Sequence, residues 1–173
     1  TLGYFSGPPS HRLDYAIVES ALADVLAQRW DVEVMVVGYI DHGPVMKEFV
    51  DRVSRQPFHD YVNLQRLLGS VDFNLMPLQS NTFTDCKSEL KYFEAASVGT
   101  LSVASPSFTY RRAIRDGENG YLAKAHEWTQ VIMRAIDQMD AYEQMAADAR
   151  RDALLKFSWQ HQHSVILEAL GIA

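Results

Sequence analysis

Short β-branched or aromatic runs alternate with helical periods along the whole chain, and this alternation restricts the fold more than any single motif does. Leu2 to Phe5 is a short apolar run followed by the breaker cluster Ser6-Gly7-Pro8-Pro9. From Asp14 the apolar residues Ile17, Ala21, Val25 and Leu26 recur at helical steps. Val32 to Val37 is a β-branched run closed by Gly38, the pattern of a strand buried on both faces. Phe49 to Val53 is read as a short strand, and Asp60 as the cap of a helix running to about Leu68. Phe73 to Met76 is a strand stopped by Pro77, and residues 79–86 are a polar loop. Lys87 to Val98 has helical spacing and ends at Gly99. Leu101 to Ala104 is a strand, Tyr110 to Arg115 a short helix, and Gly120 to Ala123 a last strand. The remainder, from about Glu127, is helical, with breaks near Asp140 and Ser158. This rhythm predicts an α/β fold: a Rossmann-like open parallel sheet flanked by helices on both faces, with a helical C-terminus. Residues 1–173 are read as a single domain.

Composition narrows the functional classes. With 16 basic and 22 acidic residues the net charge is −6, which disfavours general nucleic-acid binding but leaves room for a small anion in a local basic pocket. The single cysteine, Cys86, excludes an internal disulfide framework and a four-cysteine zinc site. No apolar run approaches the roughly 20 residues of a membrane span. The sequence starts directly on strand-like residues with no initiator Met, so a piece of a longer protein is expected; a cytoplasmic location is a separate expectation.

Open parallel sheets bind ligands beyond the carboxyl ends of their strands, which directs attention to three loops: Ser6 to Asp14, Pro57 to Tyr61, and Gln79 to Ser88. In the first, Gly7 allows backbone N–H groups close to an anion, and His11 and Arg12 follow. A plain β-to-α turn with a solvated arginine accounts for the same residues. The third loop leads into Lys87, Lys91 and Glu94, spaced i, i+4, i+7 on one helical stripe, with Leu90 and Phe93 turned toward the sheet. A lysine in a first helical turn is electrostatically unfavourable unless an anion sits there. Glu94, deeper in the helix, is placed to accept hydrogen bonds from a ribose diol. The alternative is a wet ladder of i, i+4 ion pairs contributing about 0.3–0.5 kcal/mol.

The segment Lys87-Ser88-Glu89-Leu90-Lys91-Tyr92-Phe93-Glu94-Ala95-Ala96-Ser97-Val98-Gly99-Thr100, followed by Val103-Ala104-Ser105, resembles the donor-site helix and next strand of family 4-like glycosyltransferases with the GT-B fold. Ile114-Arg115-Asp116-Gly117-Glu118-Asn119-Gly120-Tyr121-Leu122 is similar to that family's I-x-D-G-x-N-G-x-L turn. Tyr4 to Tyr15 resembles a branch with SG…H…D after its first strand, and Asp72-Phe73-Asn74-Leu75-Met76-Pro77-Leu78 fits that branch's D-x-N-L-x-P-L. The resemblance implies the C-terminal, donor-binding half of a retaining hexosyltransferase-type enzyme that uses a nucleotide-diphosphate sugar. It implies no cofactor and no metal, and no Asp-x-Asp pair is present. It places Glu94 on the donor ribose. The first glutamate of the family's pair, eight residues before the ribose-binding one, contacts the sugar and is replaced here by Cys86, with Asp85 beside it as the substitute. His11 falls where the family has a phosphate-binding lysine. On this basis Ser6, Gly7, His11, Arg12, Lys87, Ser88, Lys91 and Glu94 are expected to bind the nucleotide sugar, and Asp85 and His11 to act in catalysis. Phe58 and Tyr61 are candidates to stack on the base. The implied partner is an N-terminal acceptor domain of the same protein, through which any membrane contact would pass. Polysaccharide biosynthesis follows by analogy, and the domain alone is expected to be inactive.

Two other patterns are read as structural. His161 and His163 are two apart on a helix and point away from each other, so they do not form a metal pair. Trp128, Met133, Met139, Tyr142 and Met145 are read as helix packing, and Trp159 as partly exposed at the start of a helix behind Ser158. The competing class is a degenerate GT-B-like scaffold that no longer turns over sugar, which Cys86 favours. A flavodoxin-like signalling domain is disfavoured, because Gly, Pro and His stand where its acidic cluster would be.

Overall fold

The computed structural model describes residues 1–6 and 12–172. Gly7 and His11 lie outside the described residues. In chain order the elements are β1 (Leu2–Phe5), α1 (Arg12–Gln28), β2 (Val34–Val37), a 3-10 segment (Pro44–Arg52), β3 (Val53–Gln56), α2 (Tyr61–Leu68), β4 (Phe73–Met76), α3 (Thr82–Asp85) and α4 (Leu90–Ser97). They continue with β5 (Leu101–Ala104), α5 (Phe108–Ala113), β6 (Tyr121–Leu122), α6 (Trp128–Asp137), α7 (Tyr142–Phe157) and α8 (Trp159–Ala169). The strands form one parallel sheet in the order β3-β2-β1-β4-β5-β6. This is the doubly wound order, in which the chain reverses its direction of travel across the sheet between β1 and β4.

Strand side chains alternate between two cores. Leu2, Tyr4, Val34, Val36, Phe73, Leu75, Leu101 and Val103 pack with Val18 and Leu22 of α1 and Ile132 of α6. Phe5 and Val37 turn to the other face, where they meet Leu64, Leu67 and Leu68 of α2 and Ala95 of α4. Met76 and Ala104 meet Tyr92 of α4 and Tyr110 of α5 on that same side. α7 runs along α4, and Phe157 near its end stacks on Phe93 with ring centroids 4.9 Å apart. The breaks expected near Asp140 and Ser158 are present, and Trp159 is exposed. Asp60 caps α2 by accepting from the Asn63 N–H at 3.1 Å.

Three local expectations need correction. Phe49 to Arg52 is not strand: Pro44 starts a 3-10 segment, and Arg52 anchors its end by donating to the carbonyls of Leu26 at 2.5 Å and Arg29 at 2.7 Å. The strand begins at Val53, and its polar residues Ser54 and Arg55 are exposed, as suits an edge that an apolar pattern cannot reveal. The loop 79–86 contains a one-turn helix because Asn81 and Thr84 cap each other reciprocally. The following helix starts at Leu90, so Lys87 lies before it and not in its first turn.

Gly38 ends β2 with φ +107°, and a Cβ there would collide with the carbonyl oxygen of Ser6. Gly38→Ala is therefore expected to lower stability by about 1–3 kcal/mol in urea denaturation. An unchanged midpoint would show that the junction between β1 and β2 relaxes without cost.

Candidate functional site

The carboxyl end of β1 is where local sequence and site meet. Phe73 N–H donates to the Thr1 carbonyl, so in steps of two along the β1–β4 ladder the Phe5 carbonyl falls opposite residue 77. Residue 77 is proline and has no N–H. The missing donor is replaced from α4: Lys91 Nζ donates to the Phe5 carbonyl at 2.9 Å. The Lys91 carbonyl in turn accepts from Nδ2 of the buried Asn74 at 3.4 Å.

Beside this contact is a cavity of about 270 Å³. Phe5, Val37, Leu64, Leu68 and Leu90 make its walls largely apolar, and Ser6, His59, Asn74, Lys91 and Glu94 supply the polar groups. Phe58 stands at its side and stacks on Tyr39, with centroids 6.1 Å apart and planes inclined by 14°. Both rings are more than half exposed, at 58% and 66%. Tyr61 is also exposed but does not line this cavity, and Leu90 lines it instead of packing on the sheet. Among the described residues no cation lies within ion-pair distance of Glu94. Burial raises the Glu94 pKa, and Lys91 only partly opposes this. The Lys91 pKa is lowered to about 8, first by burial and then by the nearby Lys87, against the pull of Asp14 and Glu94.

A second cavity of about 460 Å³ opens beyond β4, β5 and β6. Gln79, Ser80, Thr84 and Asp85 line one side, and Ser107, Arg111, Lys124 and His126 line the other. Asp85 is held by the Phe108 N–H, which donates to it at 2.9 Å. Cys86 next to it is exposed. Asp14 of α1 is bonded to Gln79 of this lining. This buried carboxylate accepts from the Gln79 N–H at 3.1 Å through one oxygen, and its other oxygen lies 3.7 Å from Lys87 Nζ.

Of the residues singled out in the sequence, Ser6, Lys91 and Glu94 share the first cavity, and Asp85 lines the second. Lys87 reaches Asp14 and the Phe83 ring, so the single stripe with Lys91 is broken at the start of the helix. Arg12 opens α1 on the surface, and Ser88 is exposed in the loop before α4. Asp14, Asn74 and His59 were not among the expected site residues. Asp14 carried a signal as the D of the SG…H…D pattern, and Asn74 as the N of D-x-N-L-x-P-L. The D-G-x-N-G turn is structural: Asn119, completely buried, accepts from Arg115 N–H at 2.7 Å and donates to the Ala113 carbonyl and to Asp152 of α7. Among the described residues no three His, Cys, Asp or Glu side chains come together to hold a metal ion. Among the same residues no helix is long and apolar enough to cross a membrane.

A six-stranded doubly wound sheet with cavities at its carboxyl edge is one half of the GT-B glycosyltransferase architecture. The model of the family "glycosyl transferases group 1" matches residues 2–139, and the chain belongs to that family. No curated protein matches it in sequence. Anabaena HepE in complex with UDP superposes with a TM-score of 0.74 at 20% identity, over 99% of this chain and 48% of HepE. HepE in complex with UDP-glucose gives 0.73 at 20%, with the same coverage of both chains. The C-terminal domain of the group 1 glycosyl transferase LpcC from Francisella tularensis gives 0.71 at 15%, over 92% of this chain and 86% of that one. The chain thus spans about half the length of HepE.

Because folding raises the Glu94 pKa, the stability linked to this group is present at low pH and is lost as pH rises through the folded value. At neutral pH the ionised carboxylate is a net cost to the free fold. Glu94→Gln is therefore expected to raise the thermal midpoint at pH 7.5, with a gain that shrinks toward pH 4.5. A lower midpoint for the variant at pH 7.5 would mean that the carboxylate is stabilised by a partner in the free protein.

Proposed function

We propose that this chain is the donor-binding half of a glycosyltransferase that transfers a hexose, with retention, from a nucleoside-diphosphate sugar. The observation that carries the proposal is the first cavity: an apolar slot at the carboxyl ends of parallel strands, with Glu94, which has no ion pair among the described residues, in its wall. A base enters the slot against Phe58, which Tyr39 backs. Glu94 accepts from the ribose hydroxyls. The diphosphate lies toward Lys87 and the segment that carries Gly7, His11 and Arg12. The sugar extends toward the second cavity, where Asp85 takes the place of the acid missing at Cys86. As the bond to the anomeric carbon breaks, negative charge grows on the departing diphosphate, and the side chains of Lys87, Arg12 and His11 stabilise it. These cations neutralise the leaving group without a metal ion. The acceptor binds on the other half of the GT-B architecture, so the isolated chain binds donor without turnover. Surface-polysaccharide synthesis at the cytoplasmic side of the cell fits this scheme. The HepE complexes favour uracil as the base.

Calorimetric titration with UDP, GDP, dTDP and ADP tests the proposal. UDP is expected to bind saturably, with a Kd of roughly micromolar to millimolar. Glu94→Gln should weaken it about tenfold, and Phe58→Ala by about 1–3 kcal/mol through lost stacking. Asp85→Asn should weaken UDP-glucose and leave UDP unchanged. If none of the four nucleotides binds, the donor-site assignment fails and the scaffold alternative, which rests on Cys86, takes its place.

A further inference from the structure

The second cavity has a sign of charge that the chain as a whole does not. The protein carries a net charge of −6, yet the residues that line this cavity set one carboxylate, Asp85, against Arg111, Lys124 and His126. Two of these three bases have a partner: Lys124 Nζ lies 3.3 Å and His126 Nε2 3.6 Å from the same oxygen of Glu127. Arg111 differs from them. Among the described residues no carboxylate lies within 4.0 Å of its guanidinium.

That Arg111 does not pair with Asp85 is informative, because both are fastened to one short helix. Asp85 accepts from the N–H of Phe108, the first residue of α5, a donor that has no partner within the helix. Arg111, one turn further along α5, reaches back and donates to the carbonyl of Pro106, just before that helix. The backbone thus holds acid and base separately on one frame. Among the described residues the Pro106 carbonyl is the one hydrogen-bond partner of the Arg111 side chain, and a guanidinium has five N–H donors. A neutral hexose offers hydroxyls to Asp85 but no group that prefers a guanidinium to water. A hexose oxidised to a carboxylate at C6 offers both hydroxyls and a planar anion, which an arginine fork matches with two parallel bonds. The cavity volume of about 460 Å³ is in the range that holds a small molecule.

We propose that the second cavity is a hexuronate subsite, in which Arg111 is the specificity-determining residue that bonds the C6 carboxylate of the donor sugar while Asp85 accepts from its ring hydroxyls. This rests on the donor-site assignment above and narrows its hexose to a hexuronic acid. Lys124, tied to Glu127, contributes to the field of the cavity and makes no bond to the carboxylate. The field of the whole chain opposes one more negative charge on the ligand, so a preference for the acid has to come from the cavity itself.

Calorimetry with UDP alone, and with UDP-glucose, UDP-glucuronate, UDP-galactose and UDP-galacturonate, reads the sugar subsite apart from the nucleotide site. At least one uronate is expected to bind about tenfold more tightly than its neutral counterpart, the gain from one charge-assisted contact. The margin should shrink as salt is raised. Arg111→Gln keeps a donor for the Pro106 carbonyl and removes the charge. In that variant each uronate should fall to within about twofold of its neutral counterpart. Arg111→Lys, a point charge without the fork, should keep part of the margin. If UDP binds and neither uronate exceeds its neutral counterpart, the hexuronate subsite is overturned and the donor site stands. A full margin that survives in Arg111→Gln would overturn the role of Arg111. If neither UDP nor any of the four sugar nucleotides binds, this inference falls together with the donor-site assignment.

Discussion

A parallel strand must end somewhere, and β1 ends at a carbonyl whose ladder partner is a proline. Pro77 stops β4 and withholds a donor at the point where the sheet reverses its winding. A lysine from the next long helix supplies it. That contact fixes how α4 approaches β1, and it also sets the depth at which Glu94 enters the cavity. Asn74, buried one position from the centre of β4, holds the backbone of the same lysine. Strand end, helix and cavity wall therefore form one hydrogen-bonded unit, so neither element can shift alone without opening a buried polar group.

The expected fold was legible because its signals were local. Each central strand is a short, mostly apolar run buried on both faces, and each helix that covers the sheet carries a spacing or a cap that marks it. Asp60, Gly99 and Ser158 marked boundaries by side chains or backbone conformations that act within a few residues. The failures share a cause as well. β3 is a polar edge strand, and its apolar pattern is nearly absent. The start of α4 was misplaced because Lys87 has helical spacing from Lys91, whereas the reciprocal caps of Asn81 and Thr84 had already used the preceding turn for a separate helix. The charges of the site depend on contacts far apart in the chain. Asp14 meets Gln79 and Lys87, and Lys91 meets Phe5, 86 residues away. No window of sequence contains such pairs.

The site keeps its charges at some cost to the fold. Among the described residues no cation pairs with the partly buried Glu94, and Lys91 stands beside Lys87. Neither arrangement is what packing alone would select, since burial disfavours the charged form of each. Asp14 moderates the cost by serving two loops at once, which leaves Lys87 tethered at 3.7 Å and not tightly paired. A fold organised for stability alone would close these gaps; the proposed donor site is the use that would keep them open.

The turn from Arg115 to Gly120 has a different consequence. Its most recognisable residue, Asn119, spends its hydrogen bonds on Arg115, Ala113 and Asp152 and is closed to solvent. It acts as a strut between the last strand and α7, and its value to the chain is the same whether or not the cavities are ever filled. Descendants of such a chain that lost every ligand contact would still be held to this pattern by the needs of packing. Membership of the family, read from such positions, therefore measures inheritance of a framework, while the one-turn helix that ends at Asp85 and the exposed Cys86 after it carry no such packing constraint.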